Sequence, residues 1–406
     1  MKFVRMGSGQ FQKLCDRNNN RSMRVVKSVR KILESVRVDG DEAVARYTRR
    51  FDKVKLLPRE FRVTEGEISG AYQDIKPEFV STLKLVIENV EKFYKKQLKR
   101  SWTVKDQDGV VLGEKVMPLD TVGVYVPSGT APLVSSVYMA VIPAKMAGVK
   151  RIVLVAPPNK YKSIDPHILV VANLLKVDEI YKAGGAQAIG ALAFGTKTIP
   201  RVDKIVGPGN AYVTEAKRQV FGYCDIDMLA GPSEVLIIAN QFSDMKFIMA
   251  DLEAQSEHFM GLSILVTNSK KIARALRKEN VKGYAMLVKN MDEAAEVANI
   301  LAPEHLEILT NNPRKIAKRI TNAGAIFLGP YTPVAVGDYV AGPSHVLPTG
   351  GSARFFSGLS VSDFYRVSHL ISYTKKALEK VREPLEKIAG IEGLQKHLDS
   401  VKVRFD

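Results

Sequence analysis

Hydrophobic spacing divides the chain into a helical first part and a longer region in which short apolar runs alternate with helical stretches. Val25, Val29 and Ile32 recur at the spacing of one helix face, and that pattern stops at Gly40. Residues 41–51 and 78–102 show the same amphipathic spacing. We therefore predict helices over residues 21–36, 41–51 and 78–102.

From residue 122 onward the pattern predicts strands that alternate with helices. The predicted strands are residues 122–126, 151–156, 178–182, 202–206, 235–239, 264–267, 285–288, 305–310 and 325–328. They form two groups, before and after Gly231-Pro232. This rhythm indicates an α/β fold of two Rossmann-like doubly wound parallel-sheet modules, one of them inserted in the other. A helical segment precedes them, and a helical tail follows Gly358.

The composition is that of an ordinary globular protein. Of 406 residues, 46% are hydrophobic and 25% are charged, and no apolar run reaches membrane-spanning length. The polar N-terminal stretch lacks the apolar core of a signal peptide, so we expect a soluble cytoplasmic protein without a membrane partner. Two cysteines, Cys15 and Cys224, are too few for a disulfide framework or a cysteine-rich metal site.

The formal net charge of +17 raises the question of nucleic-acid binding. The basic residues are scattered over polar helix faces, as at Lys92, Lys95 and Lys99, and no arginine-rich tail is present. A solvated basic surface is therefore favoured over a nucleic-acid partner. An anionic dinucleotide would also benefit from this charge.

Two polar motifs could carry chemistry beside the predicted strands. Gln255 and His258 are three residues apart at the end of a predicted helix, so both could face one divalent metal ion, although a polar helix end explains them as well. Glu304 and His305 lie at the mouth of a predicted strand, where sites of α/β proteins are frequent. Both are competent proton carriers, but neighbours in an extended segment point apart unless the chain twists.

Two further histidines lie in polar segments nearer the C-terminus. Asp338 and His345 belong to a region rich in glycine and proline, which predicts a loop that is either functional or simply solvated. Glu392 and His397 lie in the tail and, taken alone, indicate only the start of a polar helix.

A glycine-rich turn at residues 207–210 is placed as a dinucleotide turn would be, after a strand and before a helix. Tyr212 replaces the third glycine of the usual fingerprint, so an ordinary tight turn is nearly as good an interpretation. The chain has no phosphate-binding P-loop, no Gly-x-Ser-x-Gly and no His-Glu-x-x-His.

Taken together and in order, ten segments resemble the histidinol dehydrogenase family. They are residues 38–43 (Val-Asp-Gly-Asp-Glu-Ala), 123–127 (Gly-Val-Tyr-Val-Pro), 184–189 (Gly-Gly-Ala-Gln-Ala-Ile), 206–210 (Val-Gly-Pro-Gly-Asn), 230–234 (Ala-Gly-Pro-Ser-Glu), 255–258 (Gln-Ser-Glu-His), 302–306 (Ala-Pro-Glu-His-Leu), 337–339 (Gly-Asp-Tyr), 342–349 (Gly-Pro-Ser-His-Val-Leu-Pro-Thr) and 392–394 (Glu-Gly-Leu). The sequence departs from the family pattern at Ser128, at Phe259 and in a shorter stretch between His258 and Glu304.

The resemblance implies NAD-dependent oxidation of L-histidinol through L-histidinal to L-histidine, a four-electron reaction that ends histidine biosynthesis. It implies one Zn²⁺ per subunit, and the implied metal ligands are Gln255, His258, Asp338 and His397. The last of these would come from the other subunit of an intertwined, domain-swapped homodimer.

The resemblance also implies the residues that bind substrate and cofactor. The implied substrate contacts are Ser135, Ser233, Gln255, His258, His305, Asp338, His345, Glu392 and His397. The implied NAD contacts are Tyr125, Gln187 and Asn210. Glu304 and His305 would be catalytic: His305 as the base in both oxidations, and Glu304 as the group that activates water for the second.

These assignments give the predicted domains. Residues 1–20 form an N-terminal arm, residues 21–124 and 235–359 form a discontinuous domain with the metal and catalytic residues, and residues 125–234 form an inserted NAD-binding domain. Residues 360–406 form the helical tail exchanged in the dimer. A metal-dependent hydrolase is the alternative function, because Glu304 could activate water without any nucleotide.

Overall fold

The computed structural model of the protein describes residues 1–17, 22–128, 131–258 and 260–405. The end of the predicted N-terminal arm and the departure at Phe259 lie outside the described residues. The helices are α1 (Gly9–Cys15), α2 (Met23–Asp39), α3 (Asp41–Phe51), α4 (Glu65–Gln73), α5 (Pro77–Tyr94), α6 (Val134–Ala147), α7 (Pro166–Leu174), α8 (Gly185–Phe194), α9 (Ala211–Val220), α10 (Met245–Gln255), α11 (Lys270–Leu276), α12 (Met291–Leu301), α13 (Pro313–Ala317), α14 (Val334–Tyr339), α15 (Lys375–Lys380), α16 (Arg382–Ile391) and α17 (Gln395–Lys402).

The strands are β1 (Lys2–Phe3), β2 (Trp102–Lys105), β3 (Val111–Pro118), β4 (Thr121–Tyr125), β5 (Arg151–Ala156), β6 (Glu179–Lys182), β7 (Lys204–Val206), β8 (Asp225–Ile226), β9 (Glu234–Ala239), β10 (Leu262–Thr267), β11 (Tyr284–Leu287), β12 (His305–Leu309), β13 (Ala325–Leu328) and β14 (Tyr365–Ser372). Those that lie in the parallel sheets match the predicted strands closely, with the two-residue strands β1 and β8 added.

The first parallel sheet has the strand order β6-β5-β4-β7-β8. The chain builds outward from β4 in one direction and then returns to build from β7 in the other. The order therefore reverses between β4 and β7, which is the arrangement of a doubly wound sheet. This confirms the first of the two predicted modules.

The second parallel sheet has the order β1-β11-β10-β9-β12-β13 and reverses in the same way between β9 and β12. Its central strands β9 and β12 are buried along their whole length. Apart from Glu234, His305 and Glu307, their residues are apolar, as expected for strands buried on both faces, and this is why the sequence predicts them well.

The helices at the beginning of the chain pack against the first sheet. Val29, Ile32 and Val44 of α2 and α3 share one core with Ile189 of α8 and Val213 of α9. The structure differs here from the predicted grouping of residues 21–124 with the second sheet. Strand β4 also starts the first sheet at residue 121, before the predicted boundary at residue 125.

A third sheet, which the sequence pattern does not predict, is antiparallel and has the order β14-β3-β2. The amphipathic stretch predicted as one helix to residue 102 ends at Tyr94, and Trp102 begins β2. The tail predicted as helical after Gly358 contains the eight-residue strand β14 before its helices. Few side chains of these three strands are buried, so they carry no clear alternation of apolar and polar residues.

The chain forms two compact units. The first comprises Met1–Gln97 with Leu119–Phe364 and holds both parallel sheets, and the second comprises Leu98–Pro118 with Tyr365–Asp406 and holds the antiparallel sheet. Within the described ranges, no helix has the length and apolar character that crossing a membrane requires.

Candidate active site

A tight turn at the end of α10 carries Gln255 and His258. The helix ends at Gln255, earlier than predicted, so the two side chains are related by a turn and not by a helix face. The His258 amide donates to the Gln255 carbonyl at 3.3 Å, and the Gly261 amide donates to the His258 carbonyl at 2.9 Å. A Cβ at Gly261 would lie 2.5 Å from the Gln255 carbonyl oxygen, so this turn requires glycine.

Gln255 is 4% exposed, and its Nε2 finds no hydrogen-bond partner among the described residues. His258, by contrast, is exposed. A buried amide that lacks a partner is uncommon in folded proteins and points to a missing ligand or water.

Asp338 lies on the short helix α14, where the glycine and proline content predicts a loop. Its Oδ1 lies 3.4 Å from His305 Nε2, and its main-chain oxygen accepts a hydrogen bond from His345 Nδ1 at 3.1 Å. Asp338 therefore stands between two of the histidines that the sequence singles out.

Glu304 and His305 do reach the same point, which the sequence leaves open. Ala302, the C-cap of α12, adopts a left-handed conformation with φ 44°, and Pro303 follows it, so the chain twists before β12 begins. Glu304 Oε2 then lies 3.5 Å from His305 Nδ1. Both side chains are more than nine-tenths buried.

This pair lies at the amino ends of β9 and β12, and not at the carboxyl ends where α/β sites usually form. Glu234, the first residue of β9, contacts both side chains of the pair through its backbone. Its amide donates to Glu304 Oε2 at 2.8 Å, and its carbonyl accepts from His305 Nδ1 at 2.8 Å. One residue of the neighbouring strand thus orients both side chains.

The charges around the pair shift both pKa values. Burial raises the pKa of Glu304 to about 7, against the lowering effects of His305 and of hydrogen bonds from Glu234 and Ser233. Burial acts to lower the pKa of His305, but Glu304 and Asp338 outweigh it and raise that pKa to about 9. Perturbed pKa values of a buried acid and a buried imidazole at one point are typical of catalytic sites.

His345 is the fourth member of this cluster. Burial lowers the pKa of His345, and the charges of His305 and His258 act in the same direction, while Asp338 opposes them. His258, His305 and Asp338 are therefore all close enough to His345 for their charges to affect its pKa. His345 Nε2 also lies 3.5 Å from Ser136 Oγ.

The serines that the resemblance implies are both near this cluster. Ser233 is close enough to Glu304 to lower its pKa. Ser135 is 8% exposed on α6, but the hydroxyl that contacts His345 is that of its neighbour Ser136. The sequence does not distinguish the two serines, because only the rotation of α6 decides which one faces His345.

The implied nucleotide contacts gather at the other sheet. Tyr125 ends β4, and Gly207 follows β7, at the point where the strand order reverses. A Cβ at Gly207 would lie 2.1 Å from the Tyr125 carbonyl oxygen, so the two strand ends meet closely. This is the crevice in which doubly wound sheets bind their ligands.

Gln187 and Asn210 flank the same crevice, but the Gln187 side chain is buried and the Asn210 side chain is exposed. The Gln187 side chain is fully buried, and neither of its amide atoms has a hydrogen-bond partner within the described part of the chain. The exposed Asn210 side chain caps α9 by accepting from the Tyr212 and Val213 amides at 2.9 and 3.2 Å. Tyr125 Oη accepts from the Gly185 amide at 3.3 Å.

Glu392 and His397 belong to the second unit, and the other predicted site residues belong to the first. Glu392 is the C-cap of α16, His397 lies on α17, and both are exposed.

The donor types of the first unit fit a divalent metal ion. Gln255 can offer the oxygen of its buried amide, and His258 and Asp338 supply an imidazole and a carboxylate, which are ligands that Zn²⁺ accepts. Over the residues that the structure describes, no group of three or more His, Cys, Asp or Glu side chains could hold a metal ion. The predicted ligand set contributes only two such side chains from this unit, because its third member is an amide.

Comparison with known proteins gives one consistent answer. The family model described as "Histidinol dehydrogenase" matches residues 15–282 and 278–405. The two matches meet between α11 and β11, within the stretch from His258 to Glu304 that we predict to be shorter than in the family.

Individual relatives agree with the family model. The chain is 47% identical to a histidinol dehydrogenase of Clostridium acetobutylicum, over 98% of this chain and 96% of that one. It is 45% identical to a histidinol dehydrogenase of Listeria monocytogenes, over 96% of this chain and 95% of that one. The crystal structure of histidinol dehydrogenase from Elizabethkingia anophelis superimposes with a TM-score of 0.92 at 34% identity, over 100% of this chain and 98% of that one.

Proposed function

The chain belongs to the histidinol dehydrogenase family, the oxidoreductases of histidine biosynthesis, and on this premise we propose that it oxidises L-histidinol to L-histidine with NAD and Zn²⁺. The observation that carries the proposal is the buried pair of Glu304 and His305. The free imidazole nitrogen of His305 lies beside Asp338, and the backbone of Glu234 hydrogen-bonds to both side chains of the pair.

The proposed metal ligands are Gln255, His258, Asp338 and His397, the last from a second copy of the chain. In the proposal Zn²⁺ would hold the imidazole and amine nitrogens of the substrate, and NAD would accept a hydride in each of the two oxidations. The contact of Asp338 with His305 and with His345 supports placing a metal ion beside these side chains.

The proposed nucleotide site is the crevice at the carboxyl ends of β4 and β7. The switch in strand order, the close approach of Gly207 to Tyr125 and the unpartnered amide of Gln187 support it. Because Gln187 is fully buried, its contact with NAD requires a local movement of the glycine turn at Gly185.

His305 acts as the base in the first oxidation. Its Nδ1 donates to the Glu234 carbonyl, so the neutral ring carries its lone pair on Nε2, which can take the proton of the substrate hydroxyl. As this O–H bond breaks and hydride leaves the carbinol carbon, L-histidinal forms. Because the pKa of His305 is raised to about 9, the neutral ring that this step needs becomes more populated as pH increases.

Glu304 acts in the second oxidation. Its carboxylate takes a proton from water as the water oxygen adds to the aldehyde carbon, and protonated His305 returns the proton of the first step to the aldehyde oxygen. This gives the hydrated aldehyde and leaves His305 neutral again. His305 then takes a hydroxyl proton while the second hydride leaves, and the product is the carboxylic acid. Since burial raises the pKa of Glu304 to about 7, the carboxyl group can exchange protons near neutral pH.

A homodimer with an exchanged tail is part of the proposal. In the second unit, large apolar side chains are exposed, among them Ile371 at 72% and Ile391 at 88%. Apolar side chains exposed together are typical of surfaces that another chain covers. A dimer would therefore account for these side chains and for the exposed Glu392 and His397 beside them. The cytoplasmic location stays a prediction.

The test is NADH formation from L-histidinol, measured with and without a chelator. We expect two NADH per L-histidinol consumed, loss of the reaction after chelation and its return with added Zn²⁺. A protein that forms no NADH from L-histidinol, or that keeps full activity after complete metal removal, contradicts the proposal. The hydrolase alternative predicts metal dependence without any NADH.

A further inference from the structure

Arg17, near the N-terminus, contacts the residue that orients both candidate catalytic side chains. Its Nε lies 2.5 Å from Glu234 Oε1, and its Nη2 lies 2.7 Å from Glu234 Oε2. This is a bidentate pair, the arrangement in which a guanidinium holds a carboxylate in one orientation. The two side chains are only 12% and 5% exposed.

The rest of the guanidinium is also held in place. Nη1 donates to the Leu14 carbonyl and Nη2 to the Leu301 carbonyl, each at 2.8 Å. Leu14 lies on α1 and Leu301 ends α12, the helix that leads into Glu304 and His305. The Gly350 amide adds a hydrogen bond to Glu234 Oε1 at 3.1 Å.

Glu234 connects this network to the chemistry through its backbone. The same residue donates its amide to Glu304 Oε2 and accepts from His305 Nδ1, as described above. The second contact sets the imidazole tautomer, since it requires the proton to be on Nδ1 and leaves Nε2 free. No other residue contacts both the acid and the imidazole with such bonds among those in the described ranges.

We propose that Arg17 is a positioning residue of the active site, which fixes the backbone of Glu234 by clamping its side chain and thereby orients Glu304 and His305. The inference rests on the roles proposed for these two residues. A carboxylate left buried without its partner would turn toward water, and the two peptide groups beside it would move with it. A displacement of about 1 Å at a reacting group can cost about 100-fold in rate.

The alternative is that the pair only stabilises the fold. A stabilising role would lower the thermal stability of an Arg17 variant but would leave the turnover of the folded molecules intact. A positioning role changes kcat of the folded enzyme and the environment of His305. The experiment must therefore measure turnover and His305 directly, in samples shown to be folded.

The first variant is Arg17→Ala, studied in the full-length enzyme with Zn²⁺. We expect kcat for L-histidinol to fall by about 10-fold or more, with little change in KM, because binding groups stay in place while the reacting groups shift. Guanidinium ion, at concentrations that leave the fold intact, should restore part of kcat by occupying the vacated position.

A second readout does not depend on catalysis. The hydrogen-bonded Nδ1 proton of His305 should give a low-field NMR signal, assigned by its absence in His305→Asn. We expect Arg17→Ala to weaken or shift this signal. If the wild-type protein forms no NADH from L-histidinol, the proposed function fails, and this signal still tests the clamp.

The matched control is Arg218→Ala, which breaks another bidentate pair, that of Arg218 with Glu215 on α9, at 2.8 and 2.5 Å. It should change neither kcat nor the His305 signal, and guanidinium should have no effect on it. If Arg17→Ala fails to fold, Arg17→Lys replaces it, since lysine keeps the charge but cannot form the two parallel bonds. We expect an intermediate kcat for that variant.

Three outcomes overturn the proposal. The first is a folded Arg17→Ala enzyme with kcat within about twofold of the wild type, where a displaced reacting group should cost far more. The second is a fall in kcat with an unchanged His305 signal and no response to guanidinium. The third is an Arg17→Lys enzyme that equals the wild type.

Discussion

At the scale of single residues, Glu304 and His305 have different proposed roles, so their substitutions should affect the two oxidation steps differently. Glu304→Gln should slow the oxidation of L-histidinal by about 10² to 10⁴-fold and the oxidation of L-histidinol much less, because only the second step needs activated water. His305→Asn should slow both steps. Separate assays of the two substrates check this, and equal losses of both steps in Glu304→Gln would refute the division of roles.

The same carboxyl group should give the aldehyde step its pH dependence. A base works in its ionised form, and burial raises the pKa of Glu304 to about 7. In the wild type, kcat/KM for L-histidinal should therefore rise as pH increases through about 7. In Glu304→Gln the remaining slow rate should lack this rise. If the variant retains the same limb, another group is responsible for it.

Gly261 permits a separate test of the proposed metal ligands. The side chain of Gly261→Ala would meet the Gln255 carbonyl at 2.5 Å and its Nε2 at 3.1 Å, so the turn that presents Gln255 and His258 must shift. We expect about a 10-fold or greater loss of Zn²⁺ affinity, the range typical when the support of a metal ligand is disturbed. Competition with a chromogenic chelator measures it. Gly70→Ala, in open space on α4, is the control and should leave the affinity unchanged.

The sequence could predict part of this site and not the rest. Glu304 and His305 are neighbours, and Gln255 and His258 share one turn, so each pair is visible locally. The contact of Arg17 with Glu234 joins residues 217 positions apart, and no local pattern indicates it. One signal was present: Glu234 begins a strand buried along its whole length, where a charged residue requires a partner.

At the scale of elements, α10, β12 and α14 carry most of the proposed site. Two acidic side chains, Glu307 and Asp251, also connect these three elements. Glu307 of β12 is fully buried and accepts from the Val334 amide of α14 at 2.9 Å. The Asp251 carboxyl group of α10 is close enough to Glu307 to raise its pKa. Two carboxylates that are buried together repel each other, so protonation of one of them is favoured. Burial and the nearby Asp251 accordingly raise the pKa of Glu307 to about 8.

This raised pKa predicts a pH effect on stability. The folded protein holds a proton on Glu307 up to about pH 8, whereas the unfolded chain releases it near the ordinary value of 4.5. The unfolded state thus binds fewer protons between these values, and stability falls as pH rises across that window. Glu307→Gln removes this contribution, so its stability relative to wild type should improve by about 1 kcal/mol or more from pH 5 to pH 8.

Urea unfolding of both proteins at pH 5 and pH 8 measures this difference. Glu296→Gln, at an exposed position on α12, serves as the control and should follow the wild type at both pH values. Parallel stability curves for Glu307→Gln and wild type would show that Glu307 is already ionised in the folded protein.

The elements that the sequence predicts well are those with one simple environment. Strands β5 and β9 are mostly buried and apolar, and α3 has a clear boundary at Gly40. The sequence pattern does not predict the antiparallel sheet, because its strands expose most of their side chains and their residues show no alternation of apolar and polar positions. In β14 every side chain after the first is exposed.

At the scale of the whole molecule, the second unit has surface features that a single chain does not explain. It exposes apolar side chains and carries Glu392 and His397, which the family resemblance places in the active site. A tail exchanged between two chains would explain both features, because the partner would cover the apolar surface and receive the two polar residues. The proposal therefore makes the dimer a condition of catalysis.

Mixing two inactive variants tests this exchange. Asp338→Asn and His397→Ala should each lose nearly all activity, because each removes a proposed ligand from every site. In a mixed dimer with exchanged tails, one site would receive both defects and the other would be intact, so about half of the wild-type activity per dimer should return. If His397 instead serves the site of its own chain, both sites stay defective and no activity returns. The control mixes Asp338→Asn with His305→Asn, two changes in the first unit, which should leave every site defective under either arrangement. Differently tagged chains, co-expressed and purified over both tags, give the mixed dimer for the assay.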